Sequence, residues 1–357
     1  MSIIYDEKKR LYGIKGKVKL PNGKYRNYNR KPQYKRKKDA IQAESDLRFE
    51  LTSVKENITL DELVKLYHSK AVILGKKETT LYNQEQIYEN HIKERFGNVY
   101  LEDITTHDIE RWQIDLVQSN KYTERSINTF TATMKLYINY AFRNDIIKSN
   151  PVSRIRMYHD KEKPNEENSN FWELSEFQQF IQTVDNEFYN LLFTFLFYTG
   201  LRIGELEALQ WSDFKDGQIG ISKSRNNLGK ITSPKNKNSY RTINLPRPLS
   251  ERLEKRYKDQ KQIDGFSSDF YIFGSYSPSN ATTVREWLNR YIQVAGVKKI
   301  TLHGFRHSHA SMLIKMGVDD SLIAKRLGHT VSVLRSTYAH IYSSSKDDMI
   351  AKLEKTM

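Results

Sequence analysis

Thr199-Gly200-Leu201-Arg202-Ile203-Gly204-Glu205-Leu206, then Leu302-His303-Gly304-Phe305-Arg306-His307, then Leu327-Gly328-His329 with Thr337-Tyr338-Ala339-His340 nine residues further on, are the stretches on which the reading turns. Arg202, His303, Arg306, His329 and Tyr338 from these stretches, with Lys235, make two arginines, two histidines, a lysine and a tyrosine. Such a set can hold a phosphodiester and attack it without a metal. Arginine offers a planar fork that matches phosphate oxygens bidentately. A tyrosine hydroxyl is a nucleophile once its proton has somewhere to go. A phosphoryl transition state spreads extra negative charge over the non-bridging oxygens, and fixed donors must meet it. Arg202 and Arg306 are the candidate donors. His303 and Arg306 stand three apart and share one face if the segment is helical. Gly328 is placed to end a helix over Ser321 to Leu327 and to set His329 at its tip. Each piece singly is weak, because most of the 22 tyrosines must be packing residues and a His-x-x-Arg pair is common by chance.

Composition narrows the partner. The 357 residues predict two or three domains. There are 58 Lys+Arg against 43 Asp+Glu, a net charge of +15, which favours a polyanion. No apolar run approaches the roughly 18 residues of a membrane span. Leu191 to Tyr198 is too short and reads as a buried helix. The first residues lack the basic-then-apolar pattern of a signal peptide. The absence of cysteine removes disulfides, zinc ribbons and thiol catalysis, and fits a reducing cytoplasm. Nucleic acid is the better partner. Residues 1–50 alone hold 15 Lys+Arg and 6 Asp+Glu, so a seventh of the chain carries more than half of the excess.

That basic segment alternates. Tyr12 to Leu20 and Lys24 to Tyr28 flank Asn22-Gly23, a pair suited to the positive φ angles of a tight hairpin. A third short strand is expected near Tyr34. Lys37 to Leu51 reads as a helix with Ala40, Ala43, Leu47 and Leu51 on one face. Thr59 to Ile155 is mostly helical. Thr59 with Glu62 predicts a capped helix start. Ile127, Phe130, Met134, Tyr137 and Ala141 form an apolar stripe of packing residues, while Lys76, Lys77, Arg125, Lys135 and Arg143 fall on polar faces. His159 to Asn170 is almost free of apolar residues and reads as a linker. Ser175 with Gln178 predicts a second capping box ahead of Phe177, Phe180 and Ile181.

Taken together, in this order and spacing, the boxes resemble those of the tyrosine recombinase (phage integrase) family, over essentially the whole chain and most strongly from about Phe171 to Tyr342. The resemblance implies a multidomain α+β protein. Residues 1–55 would be an arm-type DNA-binding domain of three strands and a helix, whose sheet enters the major groove. Residues 58–158 would be a helical core-binding domain, 159–170 the linker, and 171–357 a mainly helical catalytic domain with a small sheet and a C-terminal tail. By the same resemblance Tyr338 is the nucleophile, with Tyr342 its rival. His303, favoured over His307 and His309, manages the tyrosine proton or bonds the phosphate, and His329 bonds the phosphate. Glu205 either orients the local backbone or is a helix ion pair. Ser233 to Pro246 resembles the hairpin whose lysine protonates the leaving 5′ oxygen. Lys235 matches that position best, and Lys237 is the alternative.

The activity implied is site-specific recombination through a 3′-phosphotyrosyl link, integrating and excising a mobile element. No ATP, metal or other cofactor is implied. The partners would be double-stranded DNA at core and arm sites, three further copies in a tetramer, an excisionase and a host DNA-bending protein. The place of action would be the bacterial cytoplasm, at the nucleoid. The DNA-facing candidates are Lys15, Lys17, Lys19, Lys24, Tyr25, Arg26, Lys35, Arg36, Lys76, Lys77 and Arg125. A type IB topoisomerase-like enzyme and a non-catalytic DNA-binding regulator are the alternatives. The C-terminal face of Met349, Ile350, Leu353 and Met357, beyond a Ser343-Ser344-Ser345 joint, is expected to dock on a neighbouring copy or on its own domain.

Overall fold

A computed structural model describes residues 3–19, 25–52, 57–159, 170–233 and 239–339. The Asn22-Gly23 turn, Lys24, nearly all of the expected linker, Lys235, Lys237, His340, Tyr342 and the C-terminal tail lie outside the described residues. The chain divides into two compact units, Met1–Pro164 and Asn165–Met357.

The first unit opens with an antiparallel sheet in the order β1 (Ile3–Asp6), β2 (Leu11–Lys19), β3 (Tyr25–Tyr34). The third strand of the sheet is β1, not a strand at Tyr34. Tyr34 ends β3 and pairs with Tyr12, across a register shift between Tyr12 and Ile14. Helix α1 (Lys37–Thr52) covers one face, where Ile14, Val18 and Tyr28 are buried against Ala43 and Leu47. Glu44 accepts a 2.6 Å hydrogen bond from the Tyr28 hydroxyl and ties helix to sheet. Period-two alternation then leaves Lys15, Lys17 and Lys19 exposed on the opposite face.

Five helices follow: α2 (Leu60–Ile73), α3 (Glu78–Ile87), the short α4 (Lys93–Phe96), α5 (Thr106–Gln118) and α6 (Glu124–Arg143). Thr59 caps α2 as its spacing predicts. Its hydroxyl accepts from the Glu62 N–H at 3.3 Å, and Glu62 returns a 2.8 Å bond to the Thr59 N–H. The stripe Ile127, Phe130, Met134, Tyr137 and Ala141 is buried throughout, and its last four residues share one core with Leu60, Leu63, Ile92 and Ile109. Each such large side chain contributes roughly 1.5–3 kcal/mol by leaving water.

In the second unit α7 (Leu174–Gln182) is capped by Glu173, not Ser175. Glu176 accepts the Glu173 N–H at 2.8 Å, so a carboxylate one turn in does the work expected of Gln178. Helix α8 (Glu187–Thr199) is apolar nearly all round and fills the core with Leu192, Phe193, Phe195, Leu196 and Phe197. After α9 (Ile203–Glu207) comes a sheet in the order β4 (Phe214–Lys215), β5 (Gln218–Ile221), β8 (Arg241–Asn244). The separate hairpin is β6 (Ser224–Arg225) with β7 (Ile231–Thr232). It therefore ends just before the stretch expected to form a hairpin, where β8 returns to pair with β5 instead. Helices α10 (Arg247–Gln260), α11 (Ala281–Ala295), α12 (Gly304–Lys315), α13 (Asp320–Leu327) and α14 (Val331–Thr337) complete it. Among the described residues no helix is long and apolar enough to cross a membrane.

Candidate active site

Arg202 is the N-cap residue of α9, immediately after the turn that ends α8. Its guanidinium is 35% exposed and donates Nη1 to Glu205 Oε1 at 2.8 Å. Glu205 is buried and also receives Arg241 from β8 in bidentate fashion, at 3.1 and 2.8 Å. Burial alone would raise the Glu205 carboxyl. The Arg241 hydrogen bonds and the charges of Arg241 and Arg202 outweigh it and hold the pKa at about 2. One buried carboxylate thus fixes an arginine that faces outward and one that is buried. The Arg202 N–H also donates to Glu205 Oε2 at 3.0 Å, so Glu205 both orients the backbone and forms the ion pair.

Arg306, on α12, is fully buried. Nη1 donates to the Gly200 carbonyl at 2.8 Å, and Nη2 donates to the Leu327 carbonyl. Both carbonyls are at the C-terminal ends of helices, where acceptors are free. Gly200 holds the αL conformation at φ 64°, and a Cβ there would lie 2.7 Å from His309 and 2.8 Å from Leu327. Gly328 closes α13 in the same αL form at φ 68° and leads into His329. Arg306 Nη2 lies 2.8 Å from His329 Nε2. Arginine can only donate, so His329 accepts there and carries its proton on Nδ1. Burial and the neighbouring Arg306 and Arg202 push the His329 pKa down to about 3, which keeps the ring neutral.

Tyr338 follows α14 and is only 2% exposed. Its hydroxyl is 2.9 Å from His307 Nδ1. His303 stands one turn earlier, its ring 4.8 Å from that of His307 and at 85° to it. The hydrogen-bond partner of the tyrosine hydroxyl is therefore His307 rather than His303. His303 has an exposed edge but a crowded ring. Desolvation of the crowded part, then the charges of His307, Arg306 and Arg202, lower its pKa. His309 is a core histidine, accepting from Arg326 Nε at 3.0 Å. Burial raises the Tyr338 pKa to about 12, while the charge of Arg306 works in the opposite direction.

This geometry meets a clear signal in sequence comparison. The profile described as "Phage integrase family" matches residues 170–345, and that described as "Phage integrase, N-terminal SAM-like domain" matches residues 59–117. The chain belongs to the phage integrase family. It is 28% identical over 345 residues to the ICEBs1 integrase of Bacillus subtilis, covering 91% of each chain. Solved integrase structures share its fold. The Tn1549 transposon integrase in complex with a circular intermediate DNA superposes with a TM-score of 0.67 at 19% identity, over 84% of this chain and 100% of that one. A lambda integrase tetramer bound to a Holliday junction superposes with a TM-score of 0.62 at 19% identity, over 92% and 95%. The chain is thus a tyrosine recombinase of the integrase type.

The other expected site residues of this recombinase are placed less uniformly. Lys15, Lys17 and Lys19 share the open face of the sheet with Tyr25, and Lys17 lies 4.5 Å over the Tyr25 ring. Arg26 pairs with Val18, so it springs from the helix-covered face at the sheet edge. Lys35 is exposed, and Arg36 is bound to Asp39 at 3.0 Å. Lys77 and Arg125 are exposed. Lys76 is half-buried, donating to the Tyr67 hydroxyl and to Gln84 at 3.4 Å, which makes it a packing residue of the bundle. Arg241 and Arg326 were not singled out by sequence. Arg326 joins α13 to the Tyr198 and Asn244 carbonyls at 3.0 and 3.3 Å, and Arg241 donates to the Arg326 carbonyl at 2.7 Å. The only sequence signal for Arg241 was its place in the Ser-x-Arg-Thr-Ile stretch.

Proposed function

We propose that Tyr338 attacks the scissile phosphate of DNA and that Arg202, Arg306, His303 and His329 hold that phosphate. The observation that carries this reading is the meeting of Arg306, from within α12, with His329 and Tyr338, which follow α13 and α14, in one cluster. Arg306 bonds His329 directly, and the residue next to Arg306 bonds Tyr338. Arg306 Nε and His329 Nδ1 are buried and have no hydrogen-bond partner among the described residues. Buried donors of that kind call for an acceptor, and a phosphate oxygen is one. The product is a 3′-phosphotyrosyl link with a free 5′ hydroxyl, which takes its proton from Lys235, with Lys237 the alternative. The 5′ hydroxyl of the partner strand then attacks the link. The bond energy is conserved, so the reaction needs neither ATP nor a metal.

Lys15, Lys17, Lys19 and Tyr25 read the major groove of arm sites, a groove wide enough for a two-stranded ribbon. Lys24, Arg26, Lys35, Arg36, Lys77 and Arg125 contact phosphates. Residues 1–55, 58–158 and 171–357 act as arm-binding, core-binding and catalytic domains. The working form is a tetramer on DNA, a reading supported by the lambda integrase tetramer bound to a Holliday junction. An excisionase and a host bending protein set the direction, and the reaction takes place in the bacterial cytoplasm. Strand exchange between two duplexes carrying the element's ends tests the reading. Recombinant products are expected from the parent protein and none from Tyr338→Phe. Relaxation of supercoiled DNA without exchange would instead place the chain with the type IB topoisomerases.

A further inference from the structure

We infer that His307, the residue after the phosphate-binding Arg306, takes the phenolic proton of Tyr338 during cleavage and returns it during rejoining. This deepens the proposed function and rests on Tyr338 being the nucleophile. Three observations carry it. His307 Nδ1 is within hydrogen-bonding distance of the phenol, at 2.9 Å. The imidazole meets the phenol ring at 61°, with centroids 5.6 Å apart, so the two rings are not stacked. Tyr338 is 2% exposed and packs among Ala310, Ile314, Ile323, Leu327 and Leu334, so bulk water cannot collect the proton. An acceptor built into the fold has to do so.

In the step itself the Tyr338 O–H bond breaks and a His307 Nδ1–H bond forms. The phenolate oxygen bonds phosphorus and the bond from phosphorus to the 5′ oxygen breaks. The leaving oxygen takes its proton from the lysine assigned above. Rejoining runs these transfers in reverse. His307 must start with its proton on Nε2, the tautomer in which Nδ1 accepts from the phenol. Arg306 beside Tyr338 favours the phenolate as it forms. His303 is left to the phosphate side of the cluster, in electrostatic reach of Arg306 and Arg202.

The test uses full-length protein and a nicked suicide duplex carrying a core site, with single-turnover cleavage as the readout. His307→Asn keeps an acceptor oxygen near the Nδ1 position but cannot hold a proton. His307→Ala removes both. Each is made with tyrosine at 338 and with a polyfluorinated tyrosine, whose phenol is ionised near neutral pH and needs no base. Both variants should cleave about 100- to 10,000-fold more slowly with ordinary tyrosine while binding the half-site as before. With the fluorinated phenol the loss should shrink below about tenfold. His303→Ala should show a loss that the fluorinated phenol does not repair.

Parental cleavage by His307→Asn would reduce His307 to a positioning residue and overturn the inference. So would an equal loss with both phenols, or repair of His303→Ala by the fluorinated phenol. If His307→Ala proves unfolded by circular dichroism, His307→Asn decides. Tyr338→Phe, run in parallel, separates the two levels. Cleavage by that variant sinks the nucleophile assignment itself, whereas its inactivity beside normal His307 variants sinks only the role of His307.

Discussion

Replacing Glu205 by Gln removes one negative charge from between Arg202 and Arg241 and leaves the side chain's shape. Two routes give the size of the effect. The Glu205 carboxyl ionises at about 2 in the fold against 4.5 ordinarily, a gap worth about 3 kcal/mol of stability at neutral pH. Removing one partner of a buried ion pair costs about 3–5 kcal/mol, because the other charge stays buried. Both partners in the Glu205–Arg241 pair are 3% exposed, so solvent screening hardly reduces these figures. For a unit of this size the melting transition should fall by roughly 6–12 °C. The folded-state pKa is depressed, so the stabilisation is complete above pH 4.5 and fades as pH falls towards 2. The difference between parent and variant should therefore close over that window. Cleavage should fall by about 100-fold, since Arg202 is no longer held by its 2.8 Å anchor. Scanning calorimetry of the full chain at several pH values reads the first effect, and the suicide substrate reads the second. A variant melting within about 2 °C of the parent at neutral pH would refute the reasoning.

Three further outcomes follow from the geometry. Gly200→Ala should destabilise the catalytic unit by about 1–3 kcal/mol, because it combines overpacking with a left-handed backbone, and should slow cleavage by moving a carbonyl that fixes Arg306; an unchanged melt would contradict this. Changing Lys15, Lys17 and Lys19 together to Ala should flatten the salt dependence of arm-site binding by about 0.9 for every phosphate that is no longer neutralised, while core-site cleavage survives. Filter binding across a salt series measures it, and an identical slope would count against the sheet face. Lys76→Ala should lower stability and Lys77→Ala should lower DNA affinity, since only Lys76 is tied to Tyr67 and Gln84; reversed results in paired melts and titrations would overturn that division.

The parts of the site that sequence exposed are those in which local conformation and chemistry coincide. Gly328 announces both the end of α13 and the placing of His329. The Ile127 to Ala141 stripe announces both a helix and its buried side. What remained hidden depends on partners distant in the chain. Nothing local distinguishes His307 from His303 as the neighbour of Tyr338, because that hydrogen bond spans 31 residues and is set by how α12 packs against the end of α14. Arg241 and Arg326 are held by tertiary hydrogen bonds, Arg241 to Glu205 and to the Arg326 carbonyl and Arg326 to the Tyr198 and Asn244 carbonyls, and a lone arginine in sequence reads as a surface charge. Strand β1 is only four residues long and owes its place to pairing with β2, not to its own alternation. The Glu173 cap is hidden in the sequence because glutamate is less usual than serine in that position.

The most direct measurement is the identity of the residue that becomes joined to DNA. Full-length protein would be trapped on a nicked suicide duplex carrying the element's end, the complex digested with nuclease and protease, and the nucleotide-bearing peptide sequenced by mass spectrometry. A nucleotide joined through a 3′ phosphate to the Tyr338 oxygen is the predicted product, with no adduct from Tyr338→Phe. A nucleotide on Tyr342, on any other side chain, or joined through a 5′ phosphate would contradict the assignment of Tyr338 as nucleophile.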